Sequence, residues 1–150
     1  MLLVSACSVS INTGSTPTPS ASPKATPSPQ PTPVSVVITA HLDSGRCQTS
    51  GNVTVVVGGR DLGTMNVVNQ LIPTDRLTVM VAPGEDRYSL KGTAFVQSNG
   101  QAFSLKVSGQ GEVQVNQGPN SWTLQVDGSR LPANVCPSQG SSWPLVVQTS

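Results

Sequence analysis

Residues 88–107 read Tyr-Ser-Leu-Lys-Gly-Thr-Ala-Phe-Val-Gln-Ser-Asn-Gly-Gln-Ala-Phe-Ser-Leu-Lys-Val, and the order of polar and apolar side chains here decides the fold class. Tyr88, Leu90, Gly92, Ala94 and Val96 alternate with Ser89, Lys91, Thr93, Phe95 and Gln97. Successive side chains of a strand point to opposite faces, so this period predicts a strand with one buried and one wetted face. The alternation resumes with Phe103, Leu105 and Val107, after Ser98-Asn99-Gly100. An Asn-Gly pair suits a type I′ turn because both residues tolerate positive φ. The stretch is therefore a β-hairpin.

The same period recurs outward from the hairpin. Val36, Ile38, Ala40 and Leu42 alternate, as do Val53, Val55 and Val57, then Leu77, Val79 and Val81. Val113 and Val115 predict a short strand, Trp122, Leu124 and Val126 another, and Trp143, Leu145 and Val147 a last one. Turn chemistry sits between them in Gly58-Gly59-Arg60-Asp61, Pro83-Gly84-Glu85-Asp86, Ser108-Gly109-Gln110-Gly111 and Gln117-Gly118-Pro119-Asn120. From Arg76 to Asp127 the short turns predict an antiparallel meander. Valine is abundant, helix formers are thin, and no stretch carries a helical period. The fold expected for residues 34–150 is all-β, an antiparallel β-sandwich or small barrel of about eight or nine strands, after a disordered N-terminal linker.

That linker is residues 8–33. Seven of the thirteen prolines fall between Asn12 and Pro33, among Thr, Ser and Ala, with Lys24 the only charge. Proline lacks the N–H and blocks the α region for its predecessor, and nothing apolar is present to offset the entropy of ordering. The segment should be a polyproline II-like spacer, spanning roughly 80 Å if extended at ~3.1 Å per residue and about 30 Å as a coil. Before it stands Val4-Ser5-Ala6-Cys7, which resembles a bacterial lipobox. The resemblance implies that residues 1–7 are the end of a signal peptide, that residues 1–6 are removed, and that Cys7 carries the lipid. A secretory signal needs a basic segment and an apolar run of roughly 7–15 residues. Only Met1-Leu2-Leu3-Val4 precede the small residues, so the translation start is expected further upstream. Ser8 is not the Asp that resembles an inner-membrane retention signal, so an outer surface is allowed.

In an oxidising compartment, with Cys7 acylated, Cys47 and Cys136 are the two cysteines left to form a disulfide. It would close a loop of about 90 residues, worth at most about 4–5 kcal/mol in the chain-entropy model.

Eight basic and seven acidic residues leave the chain near neutrality, which disfavours nucleic acid as a partner. His41, the single histidine, shares a strand face with Asp43, but no G-x-S-x-G elbow accompanies them, and a solvent-facing strand end explains the pair. One histidine and two bridged cysteines cannot build a zinc site, and the acidic residues lack EF-hand spacing. The expectation is no catalytic residue, no metal and no cofactor. Five aromatics are present: Tyr88, Phe95, Phe103, Trp122 and Trp143. Tyr88 and Trp122 fall on apolar faces. Phe95 falls on a polar one and Trp143 lies near the end, so these two are the candidate platform for stacking on a sugar.

Cys47 with Gly51-Asn52-Val53-Thr54-Val55-Val56-Val57-Gly58-Gly59, and later Tyr88-Ser89-Leu90-Lys91-Gly92-Thr93-Ala94, resembles segments of actinobacterial surface lipoprotein antigens. Those proteins join a lipobox and a Thr/Ser-rich linker to a small disulfide-bonded β domain. Their second cysteine would end the strand of Lys106 and Val107, where this chain has Ser108, so the resemblance implies an architecture and no site residue. The function expected is a lipid-anchored, extracytoplasmic β module that binds an envelope protein or polysaccharide or serves the envelope structurally. The alternatives are an inhibitor or enzyme acting on envelope polymers, with Gly128-Ser129-Arg130-Leu131-Pro132 as inhibitory loop, and a carrier of an apolar ligand in a hollow barrel.

Overall fold

The computed structural model describes residues 14, 20–42, 47–68, 75–132 and 135–150. Cys7 and Asp43 lie outside these residues. Residues 20–33 are exposed along their length and carry no helix or strand. Among the described residues eight strands follow: β1 (Val34–Ala40), β2 (Gln48–Val57), β3 (Arg60–Val68), β4 (Arg76–Val81), β5 (Gly84–Ser98), β6 (Gln101–Val115), β7 (Asn120–Val126) and β8 (Ser142–Thr149). They form one sheet in the order β3-β2-β5-β6-β8-β7-β1-β4, with no helix among the described residues. The sheet curls until its two edges almost meet. Gly63 of β3 lies against the Leu77 side chain of β4, and the Asn66 N–H donates to Asp75 Oδ2 at 2.7 Å across the seam. The all-β reading stands, in its nearly closed, barrel-like form.

The β5–β6 hairpin forms as its sequence requires. Ser98 pairs with Gln101, and Asn99 (φ 50°) and Gly100 (φ 77°) both take the left-handed values of a type I′ turn. Tyr88, Leu90, Ala94 and Val96 face inward, while Lys91, Thr93, Phe95 and Gln97 face out. The core also takes Val36, Ile38, Val53, Val55, Trp122 and Trp143, all fully buried. Tyr88 is a core residue too, and its hydroxyl accepts the Val147 N–H at 3.2 Å across the interior.

Three local expectations are corrected. The first is the meander. Between Arg76 and Asp127 only β5 and β6 pair in sequence order; β4 pairs with β1, and β7 lies between β1 and β8. Two ladders, β1–β7 and β6–β8, are parallel, so the sheet is mixed. The Pro83 and Pro119 segments are corners where the chain crosses to another part of the sheet. The second is Ser108-Gly109-Gln110-Gly111, which lies inside the continuous strand β6. Its glycines answer a packing need: a Cβ on Gly109 would stand 2.2 Å from the Leu145 carbonyl oxygen, and one on Gly111 would stand 2.8 Å from the Tyr88 ring. The third is the stretch after Gly58-Gly59, where β3 begins at Arg60. A bulge between Val55 and Val56 breaks the register there, and Asp61 Oδ1 accepts the Gly63 N–H at 2.8 Å beside it. Asp and Gly are poor strand formers, and the bulge destroys the period that would have announced the strand.

Candidate functional site

Trp122, Trp143, Tyr88 and aliphatic side chains occupy the interior of the sheet, and its outer face carries exposed polar groups. The four strands β3-β2-β5-β6 set these groups in rows. One row runs Val68, Ser50, Phe95, Ser104; the next Asn66, Asn52, Thr93, Lys106; the third reaches from Thr64 and Thr54 to Lys91 and Ser108. Directly opposed residues of an antiparallel pair point to the same face with Cβ atoms about 4.5–5.5 Å apart. Thr54 and Thr64 use this proximity, with hydroxyls 2.7 Å apart.

Phe95 is 47% exposed, and of the five aromatics it alone is exposed. It sits at a shallow, open depression of about 420 Å³ with Ser50, Asn52, Asn66 and Thr93 among its walls. Alternation puts the ring outside, because its neighbours Ala94 and Val96 are fully buried. The Asn66 backbone is fixed by the Asp75 carboxylate, which also accepts the Arg76 N–H at 2.9 Å. The platform is thus an apolar ring among amides and hydroxyls on rigid strands. Such a surface can stack on a flat apolar face while hydrogen-bonding hydroxyl groups around it.

Trp143, the other candidate stacking residue, is corrected: at 0% exposure it offers no ring face to a ligand. Its place near the end of the chain suggests a margin. In fact β8 is flanked on both sides, and Pro144 falls at the last position of the short β6–β8 ladder, opposite Ser108. A missing N–H ends that ladder without breaking it. The Nε1 atoms of Trp143 and Trp122 are buried with no hydrogen-bond partner among the described residues.

His41 is exposed just past β1, and its N–H donates to the Leu124 carbonyl at 2.9 Å. Among the described residues no group of three or more His, Cys, Asp or Glu is placed to hold a metal ion. No helix among them is long and apolar enough to cross a membrane. Cys47 is buried, Cys136 is half-buried, and both pack against the same core. The Gly128–Pro132 loop is a tight turn. Arg130 and Leu131 both donate backbone N–H groups to the Asp127 carbonyl, and Leu131 packs on the core. Asp127 Oδ1 accepts the Ser129 hydroxyl at 2.6 Å and the Ser129 N–H at 3.0 Å. The Ser129 hydroxyl bond, followed by the backbone bonds and Arg130, holds the Asp127 carboxyl below its ordinary value against an opposing desolvation.

Asn52, Asn66, Lys91 and Lys106 did not emerge from the sequence as site residues. The alternation around Phe95 carried a signal for Lys91 and Thr93. None existed for Asn66, whose strand is hidden by the bulge. Comparison of the chain with protein-family models, with curated proteins and with solved structures finds no match in any of the three.

Proposed function

We propose that this chain is a lipid-anchored, extracytoplasmic binding module that uses the outer face of β3-β2-β5-β6 to hold a saccharide of the cell envelope. Phe95 carries the reading: an exposed ring beside Asn52, Asn66, Ser50 and Thr93 is the chemistry that stacks on a pyranose and bonds its hydroxyls. The rest supports it by division of labour. Acylation of Cys7 would give the address, the Pro-rich segment the reach, and a Cys47–Cys136 bridge a stapled β domain. Packing of both cysteines against one core favours that bridge.

Binding is tested on a glycan array with the full chain and Phe95→Ala. The exposed position predicts an unchanged fold, since surface substitutions usually stay within about 0.5 kcal/mol. At least one saccharide should be retained by the parent and lost by the variant. An array with no binding, or binding indifferent to Phe95→Ala, overturns the proposal. Palmitate incorporation at Cys7 tests the anchor, and mass spectrometry of non-reduced peptides tests the bridge; a free thiol at both Cys47 and Cys136 removes it.

A further inference from the structure

The outer face carries a charge pattern that sharpens its ligand. Lys91 and Lys106 are fifteen positions apart in sequence, yet the β5–β6 register makes them diagonal neighbours: Lys91 faces Ser108, and Lys106 faces Thr93. Both are exposed. Lys106 is also diagonal to Phe95, which faces Ser104. Diagonal partners lie about 7–8 Å apart, within reach of long and aromatic side chains. Phe95, Lys106 and Lys91 therefore form a zigzag down one face.

The cations in this half of the face have hydroxyls opposite them, where the other half has a carboxylate. Further along the same two strands Arg87 is set directly opposite Glu112, with Nε 3.7 Å from Oε1. The three rows holding Phe95, Lys106 and Lys91 contain no carboxylate. The nearest one along the Asn66 row, Asp75, is engaged by two backbone N–H groups at the far seam. A second shallow depression, of about 360 Å³, adjoins Lys91 and brings it together with Arg130, Ser89, Ser108 and Gln110. Arg130 has the Asp127 carboxylate near it. Two lysines placed diagonally repel each other, and neither forms an ion pair among the described residues. Their charge is complementary to an anion laid along the face.

We infer that the ligand of this face is an acidic polysaccharide, with a sugar ring on Phe95 and carboxylate groups of the same chain at Lys106 and Lys91. The inference rests on the saccharide reading above and adds the sign and position of the charge. The distance from Phe95 to Lys91 along β5 is about 13 Å at ~3.3 Å per residue, which calls for a polymer and not a single sugar.

The test is titration of the full chain with a galacturonate oligomer and with a neutral glucose oligomer of equal length, at low and at about 150 mM ionic strength. The acidic oligomer should bind more tightly, and added salt should weaken it. The double variant Lys91→Gln/Lys106→Gln should lose about tenfold in affinity for it, because it removes two exposed ion pairs with the ligand. Neutral-oligomer binding should not change, and circular dichroism should match the parent. Equal affinity for both oligomers, abolished by Phe95→Ala but untouched by the double variant, overturns the acidic assignment and leaves the saccharide reading standing. No binding of either oligomer, with no saccharide retained on the array, removes both. Lysine-dependent binding to phosphatidylglycerol vesicles without binding to the galacturonate oligomer assigns the face to a membrane surface and overturns the inference.

Discussion

Replacing Gly92 by alanine adds one methyl group, and the geometry of β2 and β5 leaves no place for it. A Cβ there would stand 1.8 Å from the Asn52 carbonyl oxygen, 2.9 Å from the Asn52 carbonyl carbon and 3.2 Å from Val53 Cα. All three are backbone atoms, so no rotamer change relieves the contact. Reaching even a tight 3.0 Å requires the strands to part by roughly 1.2 Å, which would stretch ladder hydrogen bonds from ~2.9 Å to about 4 Å, beyond useful range. Losing two such bonds costs about 1–3 kcal/mol. Misplacing the packed side chains beside them, Val53 and Ala94 (both fully buried), adds about 1–3 kcal/mol. A gain of about 0.4–1 kcal/mol from a stiffer unfolded chain offsets part of this. The expected net loss is about 3–4 kcal/mol, a large share of the ~5–15 kcal/mol that holds a domain together. At about 4 °C per kcal/mol the melting temperature should fall by roughly 12–16 °C. Thermal unfolding followed by near-ultraviolet circular dichroism and by fluorescence of the two buried tryptophans measures it. Gly118→Ala is the control, because a Cβ there meets nothing within 4 Å, and it should stay within about 0.5 kcal/mol of the parent. If Gly92→Ala melts together with Gly118→Ala, β2 and β5 are not pressed together at Gly92 as described.

Asn120 is buried, and its side chain closes the corner between β6 and β7: Oδ1 accepts the Asn116 N–H at 2.9 Å, and Nδ2 donates to the carbonyls of Asn116 and Gly118 at 3.0 and 2.7 Å. Asn120→Ala strands these groups and should cost about 2–3 kcal/mol, read as a lower urea midpoint at unchanged slope. Ser129→Ala should raise the Asp127 pKa toward the ordinary aspartate value in a carboxyl-detected NMR titration, because it removes the largest lowering influence. A depressed folded-state pKa contributes stability above the unfolded value and loses it as pH falls through the folded value. The parent should therefore be more stable than the variant above the unfolded-state value, and the difference should shrink as pH falls and vanish below the Asp127 folded-state pKa.

Much of the architecture was legible because the strands follow strict alternation. The β5–β6 hairpin could be written down from Tyr88 to Val107, with its turn type, since every level of the signal agrees there. The barrel's connectivity could not. Pro83-Gly84 and Gly118-Pro119 carry the same residues whether a chain doubles back or crosses to another strand, and only packing of the whole sheet decides between these. Gly109 and Gly111 misled for a related reason: glycine at a turn and glycine where a neighbouring carbonyl or ring presses in are the same letter. Of the site, Phe95 was visible as an apolar residue on a polar face. Trp143 was misjudged because a place near the end of the chain does not put a residue at the margin of the sheet: β8 is inserted between β6 and β7. Lys91 and Lys106 became a pair only through register, a long-range property that no local window contains.

Interior and exterior of this domain are also unequal as places for function. A barrel of about eight strands encloses a space just wide enough for side chains to fill. Here that space takes Trp122, Trp143, Tyr88 and a set of aliphatic residues. The two indole Nε1 groups are buried there with no acceptor among the described residues, each at a cost of about 1–3 kcal/mol. Such a cost is tolerable only if the ring volume returns more through apolar burial, which for a side chain of this size reaches several kcal/mol. The interior is thus spent on volume, even at the expense of polar satisfaction. Recognition then falls to the outward half of each alternation, where substitution costs the fold little. That half is what β3, β2, β5 and β6 present as one broad, mostly uncharged surface around Phe95.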